Sequence, residues 1–303
     1  MSRDASSRDP RDTQERESGV TSARRASRES LPPRHPEQTS SSRPMAIERK
    51  PEAIDSPRAY YLRDRAYFLR ESELRTLVEV GTFRAVAAPD LARIAYGGDR
   101  ERMEREIRRL KDQSLIGEKV VRGGGNQTIR LLALTRKGAR LAKTSGAAPD
   151  GQAIYHGFVK PREARHDADL YRLYHTEAQK IADGGGRLTR VLLDYELKRN
   201  LNRDLAALPA EEHTEEAREA ISERHGLTVV DGKIPLPDMR LEYDTAEMEH
   251  KHLDLELATR NYRPRALAEK AAAGFSLYAP RADASRLRRV LDEREITAEI
   301  LSL

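Results

Sequence analysis

Apolar residues first recur at helical spacing over 71–87, where Leu74, Leu77, Val78 and Val80 gather on one face. A short mixed segment, 63–70, precedes them. Pro89 suits the first turn of a second, short helix carrying Leu91, Ile94 and Ala95, which Gly97-Gly98 breaks. Asp99 is placed to cap a third helix with Met103, Ile107 and Leu110 on its inner stripe, ending at Leu115-Ile116. The pattern then changes: 117–121 and 128–134 read as strands joined by a glycine-rich tip, and 135–144 as a further helix.

The stretch 145–152, SGAAPDGQ, has the composition of a linker. Beyond it, 167–181 carries Leu170, Leu173, Tyr174 and Ala178 on one helical face and stops at Asp183 and three glycines. Residues 187–193 predict a strand continuing through 194–199, then a charged helix over 211–225 and a strand at 227–230. An apolar segment from Ile234 ends in Pro237-Asp238. After a polar loop, His252 to Leu257 alternates leucine with polar residues, so Asp254 and Glu256 share the face opposite Leu253, Leu255 and Leu257. Pairing of these segments as a hairpin brings Asp238 close to Glu256. A helix over 264–273 with Lys270, a strand at 275–278, a helix over 283–293 and a strand over 296–303 complete the pattern.

A length of 303 residues predicts about two domains. Residues 1–58 are rich in Ser, Arg, Asp, Glu and Pro and nearly free of aliphatic residues, so they read as a disordered charged tail. The tail reads as a DNA-touching arm or as a solvated segment, because its acids are interspersed with its arginines. The remaining boundaries fall at 59–145, a linker at 146–154, and 155–303. A pI near 9.3 with a net charge of +5 is compatible with nucleic acid where the cations cluster. With no cysteine there is no disulfide framework and no thiolate zinc site, which fits a reducing cytoplasm. There is no secretory leader and no run of about 18 apolar residues, so a cytoplasmic protein without membrane contact is expected.

Three short helices followed by a two-stranded hairpin are similar to the winged-helix plan, which implies a third helix in the major groove of double-stranded DNA and a wing on its backbone. The outer face of that helix carries Arg100, Arg102, Arg105, Arg108 and Arg109, and the wing region supplies Arg122, Gln127, Arg130, Arg136 and Lys137 for phosphates. Glu101, Glu104 and Glu106 interrupt the arginines and weaken their field, and a winged helix also serves protein contacts. Gly123-Gly124-Gly125 is not a phosphate-cradling loop, since no Lys-Ser/Thr follows at a helix start.

Two carboxylates at adjacent strand ends suit a hard divalent cation such as Mg2+, which takes oxygen ligands. Pro237-Asp238 and Glu256-Leu257-Ala258 resemble the PD-(D/E)XK nuclease-like superfamily, with Ala258 standing where that family has lysine. The resemblance implies Asp238 and Glu256 as catalytic and metal residues, with Lys270 from the following helix in place of the strand lysine. Lys198 and Lys251 are further options, Asp254 an auxiliary ligand, and Glu196 a third acid from an earlier element. The order Glu256, Lys270, Tyr278 is similar to the replication-relaxation proteins of plasmids and mobile elements, and the resemblance covers 155–303. It implies an α+β chain, a winged helix-turn-helix domain followed by a restriction-endonuclease-like α/β domain with a mixed sheet. His250 and His252 read as surface residues, and His175 as a core or capping residue at a position where that family often has histidine. Three readings follow: a DNA-binding accessory protein with a degenerate nuclease-like domain, a transcriptional regulator with a C-terminal dimerisation or effector domain, and an active metal-dependent DNA endonuclease. A homodimer is compatible with all three, although no heptad seam argues for one.

Overall fold

The structure, a computed structural model, describes residues 56–122, 128–158, 161–259, 262–293 and 299–303, with the backbone alone at 161–165 and 210. The expected charged tail lies outside the described residues as far as 55, as does the glycine-rich tip with Gln127. The described chain opens on an antiparallel hairpin, β1 (Arg58–Leu62) and β2 (Arg65–Leu69). Here the sequence predicts only a mixed segment. Its two-residue alternation is real but short: Tyr67 and Leu69 are buried, and Tyr60 and Leu62 pack against the same core.

Helix α1 (Glu71–Thr82) buries Leu74, Leu77 and Val80. It ends sooner than its apolar spacing predicts, because the chain turns at Arg84 (φ +53°) and leaves as β3 (Val86–Ala87). Helix α2 (Ala88–Ile94) has Pro89 in its first turn. Helix α3 (Arg100–Asp112) is capped by Asp99, whose carboxylate accepts the Arg102 N–H at 2.9 Å, and buries Met103, Ile107 and Leu110. Strands β4 (Ile116–Arg122) and β5 (Thr128–Leu134) pair antiparallel from Ile116↔Leu134 to Arg122↔Thr128, and β3 joins the other edge of β5. Thr135 caps α4 (Arg136–Thr144) by accepting the Gly138 N–H at 3.1 Å. Gly138 also lets the helix approach closely, since a Cβ there would lie 2.1 Å from the Leu115 carbonyl oxygen.

The second half begins with α5 (Pro161–Asp183), β6 (Arg187–Leu193), α6 (Asp194–Ala206) and α7 (Glu215–Arg224). The strand expected to continue through 194–199 is therefore a helix. Leu197 and Leu201, four apart, form its buried stripe, and Asp194 and Glu196 sit in its first turn, where the helix dipole favours acids. The strand expected at 227–230 is reduced to a single bridge, Val230↔Lys233. Then follow β7 (Met239–Asp244), β8 (His250–Leu257), α8 (Pro264–Ala272), β9 (Ser276–Ala279), α9 (Arg281–Glu293) and β10 (Ile300–Ser302).

The five strands form one mixed sheet in the order β10-β9-β8-β7-β6, antiparallel through β6, β7 and β8 and parallel from β8 to β10. Both parallel steps need crossovers, which α8 and α9 supply. Alternation in β9 separates the two faces: Tyr278 joins the cluster containing Leu170, Tyr171 and Leu173 of α5, while Leu277 and Ala279 join that of Leu267, Leu287 and Leu291. The sheet is thus covered by α5 on one face and by α8 and α9 on the other. The first of these clusters also holds Leu69, Leu77, Ile107 and Leu132, so it runs on through α1, α3 and β5. Phe83 packs on Tyr171 and Tyr174 of α5 at centroid distances of 5.3 and 4.9 Å. Ile154, within the expected linker, is buried in the same cluster. The molecule is a mixed α/β structure, and no described helix is long and apolar enough to cross a membrane.

Candidate functional site

Asp238 immediately precedes β7, and its carbonyl accepts the Asp194 N–H at 3.0 Å, which extends the β6–β7 ladder to this point. Glu256 lies near the end of β8 with its side chain fully buried. The two residues are locked by reciprocal bonds across the strands. The Asp238 N–H donates to Glu256 Oε2 at 3.1 Å, and the Leu257 N–H donates to Asp238 Oδ2 at 2.9 Å. Lys270 reaches back from α8 to place Nζ 3.0 Å from Glu256 Oε2, and it also donates to the Leu236 carbonyl. Ala258, the position of the family lysine, is instead buried in the cluster beneath α8. Asp238, Glu256 and Lys270 are therefore brought together.

Two partners were not foreseen. His166 of α5 places Nε2 3.2 Å from Asp238 Oδ1, and the Tyr262 hydroxyl donates to Glu256 Oε1. His166 carries a readable signal: with Leu170 and Leu173 it lies at i, i+4, i+7, so a histidine occupies the foot of an apolar stripe. Tyr262 stands just before the Pro264 helix start, and no pattern in sequence marks it.

Burial raises the Glu256 carboxyl above its ordinary range and the Asp238 charge adds to this, while Lys270 and Tyr262 work in the opposite direction. Burial alone would lower the His166 imidazole. Its hydrogen bond to Asp238, with the charges of Asp238, Asp167 and Glu256, outweighs that and holds it up to about 9. At neutral pH the site then contains two cationic groups, His166 and Lys270, facing the acid pair. Next to it, burial pushes the Asp167 carboxyl up to about 6 despite Arg84, whose Nη2 is 3.1 Å away.

Other candidate residues lie elsewhere. Glu196 turns to Arg190 and to the Tyr155 hydroxyl (3.3 Å). Asp254 forms a bidentate pair with Arg240 at 2.6 and 2.7 Å. Lys251 meets Glu249 at 2.7 Å, and Lys198 is exposed. His250 and His252 are exposed, and His175 pairs with Glu79 at 2.6 Å between Tyr171 and Tyr174. Among the described residues, no three or more His, Cys, Asp or Glu side chains form a group that could hold a metal ion.

The basic residues of α3 and the β4–β5 hairpin divide into two sets. Arg100, Arg105, Arg108, Arg122 and Lys137 are exposed, as are Arg136 and Lys111. Arg102, Arg109 and Arg130 brace the fold. Arg109 Nε is 2.6 Å from the buried Glu73, and Arg130 ties Glu104 of α3 to Glu118 of β4. Arg102 Nε donates at 3.2 Å to Glu106, which is buried and also accepts from Ser72 Oγ and the Tyr96 hydroxyl. Glu106 therefore ties α3 to the rest of the fold, a role beyond the intrahelical pairing expected of it. No protein-family model matches this chain, and no curated protein matches it.

Proposed function

We propose that this chain is a DNA-binding protein similar to the replication-relaxation accessory proteins of mobile elements, with a winged helix that grips duplex DNA and a nuclease-like sheet that acts on its phosphodiester backbone. The observation that carries this reading is the meeting of Asp238, Glu256 and Lys270, with Lys270 arriving from α8 at 3.0 Å from Glu256. Support also comes from the order of helix α5, strands β6, β7 and β8, helix α8 and strand β9. The run α1, α2, α3 and the β4–β5 hairpin, with β3 on its edge, supports the winged helix. In this reading α3 enters the major groove, Arg100, Arg105 and Arg108 meet DNA there, and Arg122 and Lys137 neutralise backbone phosphates.

The residues fit a hard divalent cation in kind. Asp238 and Glu256 offer carboxylate oxygens, and the raised Glu256 carboxyl marks a surplus of negative charge that a cation relieves. Mg2+ held by these two residues would polarise a phosphate and acidify a bound water. Lys270 supplies positive charge beside Glu256, where charge builds on a phosphate under attack. His166 holds a proton at the edge of the same cluster, available to a leaving oxygen.

Supercoiled plasmid incubated with Mg2+ tests the reading. The account expects nicking by the wild type and loss of at least about 100-fold in Lys270→Ala, the scale of one electrostatic catalytic group. Arg105→Ala/Arg108→Ala should instead weaken duplex binding and flatten its salt dependence. Tight, metal-independent binding to one operator without nicking would favour the regulator reading and overturn the enzymatic one.

A further inference from the structure

Tyr61 and Phe68, among the most exposed large apolar side chains described, share one element at 70% and 62% exposure. The β1–β2 register pairs Ala59 with Phe68 and Tyr61 with Ala66, which puts these four residues on the outer face. Tyr60, Leu62, Tyr67 and Leu69 take the inner face and anchor the hairpin in the core. Tyr61 and Phe68 are thus diagonal cross-strand neighbours, a relation about 7–8 Å across that places two rings on one surface.

The rim of this surface is cationic. Residues 58–70 hold Arg58, Arg63, Arg65 and Arg70 against the single acid Asp64, and the first three arginines are exposed. The hairpin is also pinned to α3. The Gln113 side chain at the C-cap of α3 accepts the Phe68 N–H and donates to its carbonyl, both at 3.2 Å. Arg108, exposed on α3, stands five positions before Gln113, about 7–8 Å along the helix axis. Exposed cations thus lead from α3 to the aromatic face.

We propose that the outer face of the β1–β2 hairpin is a stacking platform for an unpaired DNA strand. Bases lie on Tyr61 and Phe68, and the backbone follows Arg58, Arg63 and Arg65. Aromatic rings rimmed by arginines suit single strands, because every base has a π-face and stacking tolerates any sequence. A second copy of the chain suits this face poorly, since a two-fold contact of the hairpin with itself sets arginine rims of like charge against each other. The choice of DNA rests on the function proposed above, whereas the stacking surface itself rests on the hairpin alone.

The test is fluorescence anisotropy of the full chain with a labelled thymidine 20-mer, a uridine 20-mer and a duplex of equal length, for wild type and Tyr61→Ala/Phe68→Ala. The double variant should lose on the order of 10-fold or more in affinity for the thymidine strand, while duplex affinity changes less than about twofold. The chain has no tryptophan, so Tyr61→Trp adds a single indole whose emission should be quenched by the thymidine strand. Circular dichroism confirms that these exposed substitutions keep the fold. Unchanged affinity, unquenched emission or no strand binding by the wild type overturns the proposal, as does tighter binding of the uridine strand. Equal losses on strand and duplex remove the strand selectivity and overturn it too. Conversion of a dimer to a monomer by the double variant, with strand binding unchanged, assigns the face to self-association instead. Loss of nicking with strand binding intact would count against the nuclease reading alone.

Discussion

Asp167 is buried beside His166 with Oδ1 held by Arg84 and Oδ2 without a hydrogen-bond partner among the described residues. Its folded pKa of about 6 lies above the usual 3.8. Such a group favours the fold fully below the lower value, and that contribution is lost as pH rises through the upper one. Asp167→Asn does not titrate, so its stability relative to wild type should rise between pH 4 and 6, by up to about 3 kcal/mol. Urea titrations of both proteins across that range check the sign, and a difference that falls with pH would contradict it. Gly138 sets a purely steric prediction. The Cβ of Gly138→Ala would meet the Leu115 backbone, which cannot rotate away, so a loss of at least about 1–3 kcal/mol is expected from thermal or urea unfolding.

Among elements, β8 was the most legible in sequence. Leucine at every second position fixed its faces, and that alone set Glu256 opposite Leu255 and Leu257. The Asp254 on the same face was readable in position but not in role, because its bidentate partner Arg240 comes from another strand. Arg240 also donates to the carbonyls of His225 and Gly226, so it fastens the end of α7 to the sheet. Arg240→Ala should cost about 3–5 kcal/mol, since it leaves a buried carboxylate unpaired. Urea denaturation of Arg240→Ala and Arg240→Ala/Asp254→Ala separates the effects, and the double variant should recover part of the loss. The β1–β2 hairpin and α6 escaped the sequence reading for opposite reasons. The hairpin alternates over too few residues before arginines interrupt it, and α6 continues an apolar strand without a glycine or proline between them. The braces made by Arg102, Arg109 and Arg130 were hidden because their partners Glu73, Glu106 and Glu118 are identified only by the fold.

Across the whole molecule, one apolar cluster joins the helical first half to the sheet of the second, and Phe83 on α5 is its meeting point. Phe83→Ala should destabilise the chain by about 3–5 kcal/mol and lower one shared calorimetric transition; two separate transitions, with only one displaced, would contradict the continuous core. The same α5 carries Tyr171 into that cluster and His166 to Asp238, so the acid site is supported by the core. The central claim is that Asp238 and Glu256, with Lys270 beside them, form a cation-accepting phosphodiester site. Isothermal calorimetry of Mg2+ and Mn2+ on wild type and Asp238→Ala tests it most directly. The account predicts one site per chain in the wild type and none in the variant. Absence of binding to the wild type, or equal binding by Asp238→Ala, would contradict it.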